Sequence, residues 1–295
     1  MIDSTRGETS RRRFVASGAA LGAALALGPG VGRMFAQAGQ RWFKIGICDW
    51  MLGRTNPTVL KLAKEIGVDG VQLNMGTLAN DMHLRKPEVR QAYLDAAKKA
   101  DLEISSLAIG EMNSVPLKSD PRAEPWLFDS VDVAVGLGVK VILVAFFGKN
   151  DLKGDIVGTD RVVELLKQAA PKAEKAGVIY GVESWLNAEE HMDILDRVGS
   201  PAVKVYYDVG NSHLRGYDIY REIRWLGRKN LCEFHAKDHE FLFGQGKIDF
   251  EEVRRAMDDV GFSGWIQIEG QAPLGMIESY RRDREYLKRV FPARV

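Results

Sequence analysis

Four short, mostly apolar runs in the second half of the chain each end in a side chain that can bind a cation or move a proton. They read Ile179-Tyr180-Gly181-Val182-Glu183, Val205-Tyr206-Tyr207-Asp208, Cys232-Glu233-Phe234-His235 and Trp265-Ile266-Gln267-Ile268-Glu269. One such residue alone is weak evidence, because a lone strand-end His or Asp is more often a hydrogen-bonded structural group or a helix cap. Four in succession are different. Bringing three carboxylates and an imidazole together out of water is costly unless something positive sits among them. A divalent cation held by Glu183, Asp208, His235 and Glu269 is the simplest counter-charge. Three oxygens and one nitrogen without sulfur point first to Mn2+, with Mg2+, Co2+ and Zn2+ also compatible. The competing reading pairs Glu183 and Glu269 with a barrel-mouth cation such as Lys237.

The elements that must position these residues follow from the rhythm of the chain. From residue 42 onward, short β-branched runs alternate with longer amphipathic stretches, the pattern of βα units and a parallel sheet. Strands are predicted to begin at Phe43, Gly70, Glu103, Lys140, Val178, Val203, Leu231 and Gly264. Helices are predicted over 57 to 66, 87 to 101, 122 to 137, 160 to 176, 188 to 198, 218 to 227, 249 to 260 and 275 to 290. Thr159-Asp160 and Asp249 stand where N-caps belong, and Gly67, Gly177, Gly199 and Gly261 where helices stop. Eight such units in this length predict one closed (β/α)8 TIM barrel, whose active site lies at the C-terminal strand ends. The runner-up is a doubly wound open sheet, but no Gly-rich phosphate fingerprint follows the first strand, which ends in Cys48-Asp49-Trp50.

The first 38 residues stand apart. Ser10-Arg11-Arg12-Arg13-Phe14-Val15 precedes an Ala, Gly and Leu run from Ala16 to Leu27, and Ala36-Gln37-Ala38 supplies a small-residue cleavage site. That order predicts a twin-arginine (Tat) signal peptide over 1–38, a periplasmic protein over 39–295 and the Tat export machinery as a transient partner. The run is too short and Gly-rich for a convincing membrane span. Residues 39–295 carry 36 basic against 38 acidic side chains, a net charge of −2 that disfavours nucleic acid as a partner. Cys48 and Cys232 are the only cysteines, which excludes a disulfide framework and a cysteine-based zinc site.

Val182-Glu183, Asp208-Val209-Gly210-Asn211, His235-Ala236-Lys237-Asp238, the loop Gly244-Gln245-Gly246-Lys247-Ile248-Asp249 and Ile268-Glu269 resemble the sugar phosphate isomerase/epimerase superfamily of xylose isomerase-like barrels. The resemblance spans the whole chain after the signal. It implies that Glu183, Asp208, His235 and Glu269 hold one metal, that Glu183 and Glu269 also act as acid and base, and that homodimers occur. The chain departs from the three-metal endonuclease IV branch, with Gln72 on the second strand and no His on the third. Asn211 stands where a His often helps hold a ketose in the epimerases.

The chemistry such a site offers is proton transfer beside a carbonyl. A chelating cation acidifies the adjacent C–H, and Glu183 or Glu269 removes and returns the proton through an enediolate. Return at the next carbon is isomerisation, return on the opposite face is epimerisation, and loss of a β-substituent is elimination. Lys237 falls on the same strand face as His235 and is expected either to steady an oxyanion or to pair with Asp208 or Glu269. Trp50 and Trp185 are expected at the rim, against a sugar face or in simple packing. Asn211, His213 and His83 are further candidate substrate contacts. An exported barrel implies a free sugar or keto-sugar, with a keto-glycoside lyase and a non-catalytic carbohydrate-binding barrel as alternatives.

Overall fold

The computed structural model describes residues 42–293, so the expected signal peptide over 1–38 lies outside the described residues. Eight parallel strands, β1 (Phe43–Cys48), β2 (Gly70–Asn74), β3 (Glu103–Ile109), β4 (Val141–Phe146), β5 (Ile179–Ser184), β6 (Val203–Asp208), β7 (Leu231–Ala236) and β8 (Gly264–Ile268), close on themselves, β8 pairing with β1. This is the TIM barrel expected from the sequence, and closure removes the open-sheet alternative. Helices α1 (Val59–Ile66), α2 (Pro87–Ala100), α3 (Glu124–Leu137), α4 (Ile156–Ala176), α5 (Ala188–Val198), α6 (Val209–Leu214), α7 (Ile219–Asn230), α8 (Phe250–Asp259) and α9 (Met276–Val290) follow the strands.

The strands form because every second residue has an apolar layer to enter. Ile45, Ile47, Val71, Leu73, Ile142, Val144, Val182, Val205, Ile266 and Ile268 are buried in the main core cluster, which the helices share. The alternate positions face the barrel axis, where Gln72, Ser106, Glu233 and Gln267 are buried polar groups. Gly46 exists for that crowded interior: a Cβ there would lie 1.9 Å from Gln267 Oε1.

Several boundaries moved by one to four residues, two of them for a clear local reason. α4 begins before the expected Thr159-Asp160 cap, because Asp155 accepts the Gly158 amide at 2.8 Å and caps the helix. α7 runs three residues past 227 across a kink at Gly227, whose φ of 67° and ψ of 164° only glycine adopts cheaply. β4 and β5 each start one residue late. The six-residue α6 was not expected at all. Among the described residues no helix is long and apolar enough to cross a membrane, and both cysteines are free.

Candidate metal centre

Parallel pairing carries the four sequence-selected ligands to one rim. Asp208 is the last residue of β6 and pairs in register with His235 of β7. Glu183 and His235 are the penultimate residues of their strands, and Glu269 lies one residue past β8, so the ligands do not all close their strands as expected. One donor atom from each of Glu183, Asp208, His235 and Glu269 lies within 4.8 Å of the other three. His235 Nδ1 is 2.7 Å from Glu183 Oε1, 3.7 Å from Glu269 Oε2 and 4.0 Å from Asp208 Oδ2.

Asp208 divides its two oxygens between structure and site. Oδ1 accepts the backbone amides of Gly210 and Asn211 at 2.7 and 2.9 Å, which caps α6. Oδ2 is buried with no hydrogen-bond partner and faces the cluster. An orphaned buried carboxylate oxygen beside two further carboxylates and an imidazole is what a small cation would complete, so the residues fit a divalent ion. The nearby Cys48 thiol is pushed up to about 12 by burial, keeps its proton, and leaves the donor set as three oxygens and one nitrogen.

The two glutamates sit in unlike fields. Burial lifts Glu183 to about 7 against the pull of His235. Burial acts on Glu269 in the same sense, but the charges of His235 and Lys237, with hydrogen bonds from Lys237 and Trp50, bring it to about 2. Burial opposes the His235 cation, yet Glu183 and its neighbours hold the imidazole well above its ordinary value. Lys237 donates to Glu269 Oε2 at 2.6 Å and lies 3.6 Å from Asp208 Oδ2. Of the two roles expected for this lysine, the geometry displays the carboxylate partner. The close approach of β7 to α6 depends on Gly210, where a Cβ would meet Lys237 Cβ at 2.6 Å and its carbonyl oxygen at 2.8 Å.

The other candidates divide. The Trp50 indole N–H donates to Glu269 Oε1 at 2.9 Å, so this ring is tied to a cluster carboxylate. Asn211 Oδ1 is 3.4 Å from Lys237 Nζ, and both residues line a cavity of about 680 Å³ with His239, Glu240, Gln271 and Tyr280. Trp185 packs edge-on against Phe147 and carries the Arg215 guanidinium 4.3 Å over its ring. His213 reaches the rim through His239, its Nδ1 3.0 Å from His239 Nε2. His83 packs against Tyr93 of α2, and no contact among the described residues joins it to the cluster. Sequence reasoning passed over His239, although it follows Asp238 in the quoted motif; it has a left-handed φ of 53° and lines the cavity. It also passed over the structural use of the Gly244–Asp249 loop: Asp238 accepts the Lys247 amide at 2.9 Å and thereby ties the loop down.

A closed parallel barrel with a four-donor cluster at its C-terminal rim places the chain among the TIM barrels, whose sites lie at that end. Residues 60–290 match the pattern described as xylose isomerase-like TIM barrel, and the chain belongs to that family. A similar protein is the 2-epi-5-epi-valiolone 7-phosphate 2-epimerase of an Actinoplanes species, 27% identical over 59% of this chain and 65% of that protein, a little under two thirds of its length. Among solved structures, the D-psicose 3-epimerase of Clostridium cellulolyticum with D-tagatose aligns with a TM-score of 0.71 at 19% identity, covering 84% of this chain and 99% of that one. The 3-keto-D-glucoside 4-epimerase of E. coli aligns with a TM-score of 0.70 at 14% identity over the same shares.

Proposed function

We propose that this protein is a divalent-metal-dependent isomerase or epimerase that moves a proton on a small non-phosphorylated sugar or keto-sugar. The observation that carries the reading is the convergence of Glu183, Asp208, His235 and Glu269 within 4.8 Å, with Lys237 joining the cluster to the cavity. The epimerase relatives support the same class of reaction, and none of those named points to elimination. The cavity lining holds no arginine, and its lysine is engaged by Glu269, which favours a substrate without phosphate. The Arg-rich segment over 11–13 and the apolar run after it support a Tat-exported, periplasmic protein.

Glu183, Asp208, His235 and Glu269 would hold the cation, Mn2+ first among the candidates, and when bound it would supply Lewis-acid polarisation of a substrate carbonyl. Glu269, kept ionised by Lys237 and Trp50, takes the proton. Glu183, lifted to about 7 by burial, carries and returns one near neutral pH. Lys237 stands where it can donate to the oxygen on which negative charge grows. Asn211, His239 and Trp185 at the rim orient the sugar.

The test is elemental analysis of the purified protein beside Glu183→Gln and His235→Ala, followed by NMR of solvent deuterium uptake into free sugars and 3-keto sugars. Near-stoichiometric metal lost in the variants, with deuterium entering a carbon beside the carbonyl, is the expected result. Failure to take up metal under any loading condition would sink the reading. Metal without exchange in any sugar leaves a carbohydrate-binding barrel. Replacing Arg11 and Arg12 by lysine is expected to keep the protein out of the periplasm.

A further inference from the structure

Beneath the cluster, inside the barrel, a column of buried polar side chains joins His235 to Glu233, and the proposed chemistry uses none of it. Gln72 Oε1 is 2.8 Å from His235 Nε2 and 3.3 Å from Cys48 Sγ. Gln72 Nε2 is 3.0 Å from Ser106 Oγ and 3.1 Å from Tyr206 OH. Those two hydroxyls lie 2.8 and 3.3 Å from Glu233 Oε1, which also receives the Gln267 amide. Gln72, Ser106, Tyr206, Glu233 and Gln267 are all buried, out of reach of bulk solvent.

We infer that this column is a directional hydrogen-bond relay in which Gln72 is the positioning residue that keeps a proton on His235 Nε2 and turns Nδ1 toward Glu183, Asp208 and Glu269. The consequence for metal rests on the metal-binding reading above; the location of the proton does not.

The direction follows from counting donors and acceptors. A primary amide has two N–H groups at one end and an acceptor oxygen at the other, and each hydroxyl has a single proton. With the Gln72 nitrogen turned to Ser106 and Tyr206, both of its protons find oxygens. Each hydroxyl, having accepted from Gln72, gives its own proton to Glu233 Oε1. The Gln72 oxygen then faces His235 and Cys48, and both give it a proton. Turned end over end, Gln72 would offer one proton to a thiol sulfur, a weak acceptor. It would also draw both hydroxyl protons upward and strip Glu233 Oε1 of two donors it is placed to receive. Unmade bonds of that kind are costly away from bulk solvent. The reversed column would make Nε2 an acceptor, confine the ring to its neutral form and leave its one proton on Nδ1, aimed at Glu183 where a ligand lone pair is needed. A glutamine three strands away round the barrel and a glutamate two residues down β7 therefore decide which nitrogen faces the carboxylates.

The relay is read by proton–nitrogen NMR on the full protein with isotope-labelled histidine, the His235 signals being assigned by their loss in His235→Asn. The wild type is expected to show a slowly exchanging proton on Nε2. Gln72→Met, similar in shape but without donor or acceptor, is expected to lose that protection and to bind Mn2+ alone about 10–100-fold more weakly. Gln72→Glu restores an acceptor and is expected to recover the Nε2 proton. Ser106→Ala, which does not touch His235, is expected to weaken Mn2+ binding by a smaller factor. An Nε2 without a proton in the wild type overturns the inference, as does a Gln72→Met protein with a protected Nε2 proton and Mn2+ affinity within about twofold of wild type. A wild type that binds no Mn2+ yet carries the Nε2 proton refutes the metal reading and leaves the relay standing. If Gln72→Met fails to fold, the wild-type spectrum and Ser106→Ala decide.

Discussion

Acid should act on this barrel through a histidine outside the cluster. His191 of α5 is buried at 3% exposure, with Nδ1 2.9 Å from the Asn187 carbonyl and Nε2 2.9 Å from Ser184 Oγ. A carbonyl only accepts, so Nδ1 carries the proton and Nε2 accepts the Ser184 hydroxyl, whose oxygen in turn accepts the Leu186 amide at 3.0 Å. This neutral ring pins the end of β5 beside Glu183. Burial, the largest influence, pushes its pKa down from 6.5 to about 4. Between those values the unfolded chain binds the proton and the folded chain does not. The stabilisation is therefore complete above pH 6.5 and is lost as pH falls toward about 4. At about 1.4 kcal/mol per pH unit, the full gap comes to about 3 kcal/mol. Urea unfolding of the wild type and His191→Asn across this range isolates the term, because other titrating groups cancel in the difference. The variant should be less stable near neutral pH through its lost hydrogen bonds, and its deficit should shrink by about 3 kcal/mol on acidification. A deficit independent of pH would refute the reasoning.

Two further substitutions probe how the cluster is held. Gly210→Ala places a Cβ 2.6 Å from Lys237 Cβ and should destabilise by about 1–3 kcal/mol in urea, because one of the atoms it meets is a backbone carbonyl; unchanged stability would mean that α6 shifts freely. Trp50→Phe removes the indole donor from Glu269 Oε1 and should cost about 1–3 kcal/mol in the same assay; unchanged stability would mean that this hydrogen bond contributes nothing.

How much of this was legible in the sequence depended on whether a residue's role was local. Period-two alternation and helix-stop glycines are local, so strand order, barrel closure and the face shared by Glu233, His235 and Lys237 could be read. The convergence of Glu183, Asp208, His235 and Glu269 follows once parallel strands close in order, since each sits at a C-terminal strand end. Much of what failed was decided by partners distant in sequence, and α6 by the residue just before it. α6 has no apolar period to announce it; it exists because Asp208 caps it with one oxygen while turning the other to the cluster. Trp50 was expected against a sugar or the core, and its indole is directed at Glu269, 219 residues away. Gln72 could be noticed only as a residue that was not histidine. Its amide orientation depends on Cys48, Ser106, Tyr206 and His235, contributed by four other strands.

The charges of the cluster also fix how it must respond to pH. Three carboxylates face one imidazole and one ammonium, and the two positive groups do not play the same part. Lys237 cannot be a ligand, because burial disfavours its cation but Asp208 and Glu269 more than compensate and raise its pKa above the ordinary lysine value. His235 can be one only by giving up the proton that Glu183 and its neighbours hold on Nδ1. Glu183 in turn is lifted to about 7 by burial, so near neutral pH part of the population carries a proton that an incoming cation must displace. Binding therefore exchanges one to two protons for a divalent ion, and affinity should rise with pH. Below about pH 7 the expected slope lies between one and two decades per pH unit, falling toward one decade above it as Glu183 ionises unaided. Titration of the protein with Mn2+ at several pH values measures that slope directly. An affinity that stays constant across the neutral range would mean that binding displaces neither the His235 proton nor one on Glu183, and would refute both His235 as a ligand and the raised Glu183.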